Sequence, residues 1–126
     1  MPDKNMRILS VDDFSTMRRI VKNILKQLGY TNVDEAENGA AAMDAMREKK
    51  YDLVISDWNM PVKTGIEFLK EVRSDPELKD TPFLMVTAEA EKDNVVQAMQ
   101  AGVNNYVLKP FTAKILEEKL AGIFPE

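Results

Sequence analysis

The chain has no cysteine and no histidine. The first absence removes disulfides, thiolate nucleophiles and soft-metal sites. The second removes the commonest general base, the commonest transition-metal ligand and any phosphohistidine on this chain. Chemistry here must run on carboxylates, hydroxyls, lysine and backbone groups, and any metal must be a hard, oxygen-loving cation. Basic charge is not in excess: 17 Lys and Arg stand against 21 Asp and Glu, a formal charge of -4. That argues against DNA as a direct partner, because neutralising phosphates takes a basic footprint. No apolar run approaches the roughly 18 residues of a membrane span. The opening Met1-Pro2-Asp3-Lys4-Asn5 lacks the apolar stretch of a signal peptide. The expectation is a cytoplasmic monomer that touches neither DNA nor membrane.

At 126 residues, 44% hydrophobic and 30% charged, the chain fits one domain over 1–126, with its own core. Short β-like runs alternate with helical periodicity. Met6 to Val11 reads as a strand stopped by Asp12 and Asp13. Ser15 offers an N-cap for a first helix, whose apolar positions Met17, Ile20, Val21, Ile24, Leu25 and Leu28 share a face, with Gly29 closing it. Val33 to Ala36 reads as a second strand, and the turn Glu37-Asn38-Gly39 leads into an alanine-rich helix through Met43 and Met46. Leu53 to Ser56 and Pro82 to Val86 are the next strands, with a helix over Gly65 to Arg73 between them. A helix over Lys92 to Ala101, closed by Gly102, precedes the strand Tyr106 to Leu108. Thr112 caps a last helix with Leu116, Leu120, Ile123 and Phe124 inward. Met17, Met43, Met46, Met85 and Met99 take core-like positions. Strands apolar throughout, separated by helices, predict an α/β doubly wound parallel sheet covered on both faces.

In such sheets the working groups lie beyond the carboxyl ends of the strands. Those ends carry Asp12-Asp13, Asp57, Thr87-Ala88 and Lys109-Pro110, with the less telling Glu35-Ala36-Glu37 after the second strand. An acidic pair alone is as readily a solvated turn. Convergence from distant parts of the chain is a stronger signal. Clustered carboxylates repel, so at least one pKa should rise unless a cation compensates. An all-oxygen set without an EF-hand loop points to magnesium, completed by waters and a phosphate oxygen. The same set suits phosphoryl transfer to a carboxylate: lysine gives fixed positive charge and threonine a hydrogen-bond donor. Asp57, at the end of a buried run beside Trp58, is the best-placed nucleophile.

The segments Val11-Asp12-Asp13-Phe14-Ser15, Asp57-Trp58-Asn59-Met60-Pro61, Val86-Thr87-Ala88 and Lys109-Pro110-Phe111 resemble the signature set of response-regulator receiver domains. Along essentially its whole length the chain resembles the single-domain chemotaxis members of that family. The resemblance implies a (βα)5 flavodoxin-like fold of strand order 2-1-3-4-5, with no output domain. It implies phosphorylation of Asp57 by a histidine kinase, and magnesium held by Asp12, Asp13, Asp57 and the backbone carbonyl of Asn59. Thr87 and Lys109 would contact the phosphoryl group, and Tyr106 would bury as Thr87 draws inward. The Lys109-Pro110 bond would be cis. Ala90, Lys92, Tyr106 and Lys119 would form the switch surface for a partner, the flagellar motor switch protein, and a phosphatase is a further partner. One departure is Thr64, where many members carry Asp; it touches only the stability of a surface turn.

This reading describes a phospho-accepting switch with slow self-dephosphorylation, not an enzyme. A stand-alone relay intermediate or phosphate sink is the alternative output. An aspartate-based phosphohydrolase would need a second Asp two residues after Asp57, and position 59 is Asn. A flavodoxin-like cofactor module would meet Asp12 and Asp13 where its phosphate should sit. Arg18, Lys22 and Lys26 form a basic stripe beside Arg19, either a solvated helix face or a docking site for a kinase or phosphatase.

Overall fold

A computed structural model describes residues 3–88, 92–109 and 111–124, with the side chains of 92–95 outside that description. The expectations for Ala90 and for the Lys109-Pro110 bond fall outside the described residues, as does the side chain of Lys92.

Strands and helices alternate: β1 Ile8–Val11, α1 Ser15–Gln27, β2 Val33–Ala36, α2 Gly39–Glu48, β3 Leu53–Asp57, α3 Gly65–Ser74, β4 Phe83–Thr87, α4 Lys92–Gln100, β5 Asn105–Leu108 and α5 Ala113–Ile123. The five strands form one parallel sheet in the order β2-β1-β3-β4-β5, as the resemblance implies. All of β1, β3 and β4 is buried, which is why those runs are mostly apolar rather than alternating, with Ser10, Ser56, Asp57 and Thr87 as their buried polar residues. Successive side chains still point to opposite faces. Leu9, Val11, Val54, Phe83 and Met85 pack under α2 and α3 with Met43, Met46, Phe68, Leu69 and Val72. Ile8, Leu53, Ile55, Leu84, Val86 and Val107 pack under α1 and α5 with Val21, Leu25, Leu116 and Leu120. Burying each large apolar side chain contributes about 1.5–3 kcal/mol, and both layers hold the central strands in place.

Several local expectations are corrected. Ser15 is the first helical residue, not the cap; Phe14 takes the N-cap position with no side-chain cap bond. Asp12 Oδ1 instead accepts the Phe14 N–H at 3.0 Å, so the acidic pair shapes the helix start itself. Ile20 is 45% exposed because it lies about 100° round the helix from the buried Val21. Met99 is 55% exposed, one residue beyond the buried Ala98, for the same reason. Gly39 opens α2 behind the Asn38 cap, whose side chain accepts from the Ala41 N–H. Pro82 precedes β4 and serves only as an acceptor, taking the Val54 N–H at 2.9 Å. Thr64 stabilises its turn: it caps α3 in a reciprocal capping box with Glu67. Gly29 and Gly102 carry φ of +98° and +95° at helix ends, as C′ residues should.

Candidate functional site

Parallel pairing carries β1, β3, β4 and β5 to one common edge, where their last residues meet. Asp57 and Thr87 are the final residues of β3 and β4, and both are buried. Asp12 follows β1 and is also buried, tied back to β2 by its N–H to Ala36 O at 3.1 Å. Lys109 follows β5, its N–H bonded to Thr87 O at 2.8 Å.

Asp12, Asp13 and Asp57 each offer a carboxylate oxygen, and these oxygens all lie within 4.8 Å of one another. Lys109 reaches in from β5: its Nζ stands 2.8 Å from Asp57 Oδ1 and 3.7 Å from Asp12 Oδ2. One ammonium thus contacts two of the three carboxylates. Asp12 is held above the usual carboxylate range, first by burial. The Phe14 N–H opposes the rise, the charge of Asp57 adds to it, Lys109 opposes it and Asp13 adds to it. Desolvation therefore outweighs the like-charge repulsion that the sequence alone suggests. Asp13 Oδ1 is a buried oxygen without a hydrogen-bond partner among the described residues. A buried acceptor without a donor, in a surplus of hard oxygen ligands, is what a divalent cation satisfies. The donor set fits such an ion.

The loop from 58 to 64 runs on from Asp57 and is tied down at both ends. Trp58 N–H bonds to Val86 O at 2.9 Å, and Gly65 N–H returns to Trp58 O at 2.8 Å. Gly65 allows no side chain, since a Cβ there would meet the Asp57 carbonyl oxygen at 2.2 Å. Asn59, two residues past Asp57, is exposed on this loop. Lys63 ion-pairs with Glu71 of α3. Val62 is a branched residue at φ 69°, strained and fully outward, in the same loop.

The structure thus brings together Asp12, Asp13, Asp57 and Lys109, with Thr87 at the same edge. Tyr106 and Lys119 form a separate pair, the ammonium 5.2 Å from the ring centroid. Sequence reasoning placed Arg18 in a basic stripe and passed over Glu35, and missed that the two pair beside Asp12. Two cations of the basic stripe reach Glu35, Arg18 from a largely buried position and Lys22 from the surface: Arg18 Nε donates to Glu35 Oε1 at 3.1 Å, and Lys22 stands 3.8 Å from Glu35 Oε2. The signal was an Arg one turn into the helix that follows the acidic pair, with Glu at the neighbouring strand end.

The model of the response regulator receiver domain matches residues 8–121. Chemotaxis protein CheY-3 of Vibrio cholerae is 55% identical over 122 residues, covering 97% of this chain and 94% of that protein. The solved structure of chemotaxis protein CheY4 of Vibrio cholerae superposes with a TM-score of 0.88 at 34% identity, over 95% of this chain and 99% of that one. The receiver domain of a sensor histidine kinase from Pseudomonas aeruginosa, solved with magnesium coordinated in its active-site cleft, gives a TM-score of 0.84 at 28% identity, over 93% and 95%. With its sheet order, its strand-edge carboxylates and these matches, the chain belongs to the response regulator receiver domain family.

Proposed function

We propose that this chain is a chemotaxis response regulator in which Asp57 accepts a phosphoryl group from a histidine kinase. The observation that carries the reading is Asp57 itself. It ends the buried β3 within 4.8 Å of two further carboxylates, with Lys109 Nζ 2.8 Å from its Oδ1. An Asp57 oxygen attacks phosphorus, forming the P–O bond of an acyl phosphate. The P–N bond of the donor phosphohistidine breaks, and the departing imidazole keeps the electron pair and takes up a proton.

Asp12, Asp13, Asp57 and the backbone carbonyl of Asn59 would hold magnesium, the ion named for the Pseudomonas aeruginosa receiver. When bound, magnesium neutralises the crowded carboxylates and the oxygens of the incoming phosphoryl group. Lys109 exchanges its bond to Asp57 for one to a phosphoryl oxygen, and the Thr87 hydroxyl donates to another. The inward draw of Thr87 frees space that Tyr106 fills, changing the surface of α4, β5 and α5 around Lys92, Ala90 and Lys119. Asn59 offers no carboxylate to activate water and the chain has no histidine, so the acyl phosphate is long-lived and the protein is a switch, not an enzyme.

The reading takes the flagellar motor switch protein as output partner and a phosphatase as the means of reset. The cytoplasm is its compartment; among the described residues no helix is long and apolar enough to cross a membrane. Trp58, the single tryptophan and the neighbour of Asp57, gives the test. Activation with magnesium and beryllofluoride should change its fluorescence and tighten binding of a motor-switch peptide. A fluorescence change without tighter binding would keep the receiver chemistry and move the output to a relay or phosphate sink.

A further inference from the structure

Asp12 is fixed from several directions at once. Its N–H donates to Ala36 O at 3.1 Å, its Oδ1 accepts from Phe14 at 3.0 Å, and its carbonyl oxygen accepts from Arg18 Nη1 at 2.6 Å. The same guanidinium bonds Glu35 at the end of β2 through Nε at 3.1 Å, and the Arg18 side chain is only 17% exposed. The carbonyl of Asp12 belongs to the peptide that leads into Asp13. Holding that carbonyl fixes ψ of Asp12 and with it the path of the backbone into Asp13, whose Oδ1 has no hydrogen bond of its own among the described residues to fix it. We infer that Arg18, braced by Glu35, is a positioning residue: it orients the Asp12–Asp13 peptide and so aims the Asp13 carboxylate at the cation. This deepens the proposed function and rests on its metal site.

Charge alone would work the other way. A bare guanidinium near the cluster repels a divalent cation, and Glu35 at 3.1 Å cancels most of that field. What remains is geometry. The guanidinium fork serves a carbonyl and a carboxylate from different nitrogens, whereas one ammonium cannot hold both in the same directions. Groups that orient metal ligands typically matter by 10- to 100-fold in affinity.

The test titrates magnesium chloride into metal-free protein, read by Trp58 fluorescence and by calorimetry. Arg18→Ala alone changes the net charge and leaves Glu35 only the more distant Lys22, so the decisive variant combines Arg18→Ala with Glu35→Gln and keeps the charge balance. Its magnesium affinity should fall about tenfold, with the urea midpoint in chelator showing that it folds. Arg18→Lys should recover part of the loss. Lys26→Ala, on the same stripe, should change nothing. In metal-free wild type the Arg18 Nε–H should give a distinct, slowly exchanging NMR signal. Wild-type affinity in the charge-balanced variant, or an averaged Arg18 signal, overturns the role of Arg18 while leaving the proposed function standing. A wild type that takes up no magnesium overturns both.

Discussion

Replacing Asp13 by Asn should make the metal-free protein more stable. Asp13 adds a third negative charge within 4.8 Å of two others, and Lys109 contacts only Asp12 and Asp57. At 4.8 Å, one like-charge pair costs about 3.5 kcal/mol at an effective dielectric of ~20 and about 0.9 kcal/mol at that of water. Asp13 is partly exposed, which favours the lower value, and measured pairs at exposed positions rarely exceed ~1 kcal/mol each. Two pairs therefore give a gain of about 1–2 kcal/mol for Asp13→Asn in chelator. Magnesium reverses the order. A ligand at a hundredfold over its dissociation constant stabilises by about 2.7 kcal/mol, and the variant, with a ligand removed, loses most of that. Urea unfolding followed by circular dichroism, with chelator and then with saturating magnesium, reads both arms. The refuting result is a variant no more stable than wild type without metal, since the carboxylates would then not be in conflict.

Arg73→Met should cost about 3 kcal/mol in urea unfolding, because one guanidinium ties the carbonyls of Lys79, Thr81 and Gly102 and shares the Asn104 side-chain oxygen with the Phe83 N–H. Gly65→Ala should cost about 2–3 kcal/mol and slow phosphorylation as well, because the new Cβ must displace the carbonyl of Asp57; normal stability with a normal rate would refute the close approach. Tyr51 is pushed up to about 12, first by burial and then by its hydrogen bond to Asp34. Its raised pKa gives stability that is whole below the ordinary tyrosine range and lost as pH climbs toward about 12, so Tyr51→Phe should flatten the alkaline limb of a stability–pH curve. Asp12 acts with the opposite sense: its raised pKa makes metal-free stability fall as pH rises through the folded value, and Asp12→Asn should abolish that fall.

The sheet and its working edge were legible because both rest on patterns that local sequence carries. Continuous apolar runs mark buried parallel strands, and the residues that interrupt them, Asp12, Asp57, Thr87 and Lys109, are the ones the topology gathers. Helix faces were legible only in outline. A 3.6-residue stripe marks Val21 and Leu25, but how far round the helix burial extends depends on the neighbours, so Ile20 and Met99 turned outward. The role of Arg18 was hidden for a similar reason. A cation at helical spacing looks solvated until the fold sets the carbonyl of Asp12 and Glu35 beside it. The cause of the Asp12 shift was equally invisible, since burial is a tertiary property.

Everything in the proposed function depends on Asp57 taking the phosphoryl group. Incubation with a phosphorylated chemotaxis histidine kinase and magnesium, followed by borohydride trapping and peptide mass spectrometry, reads the modified residue directly. Label is expected at Asp57 alone, lost in Asp57→Asn. Label that persists in that variant, or that maps to another residue in the wild type, would contradict it.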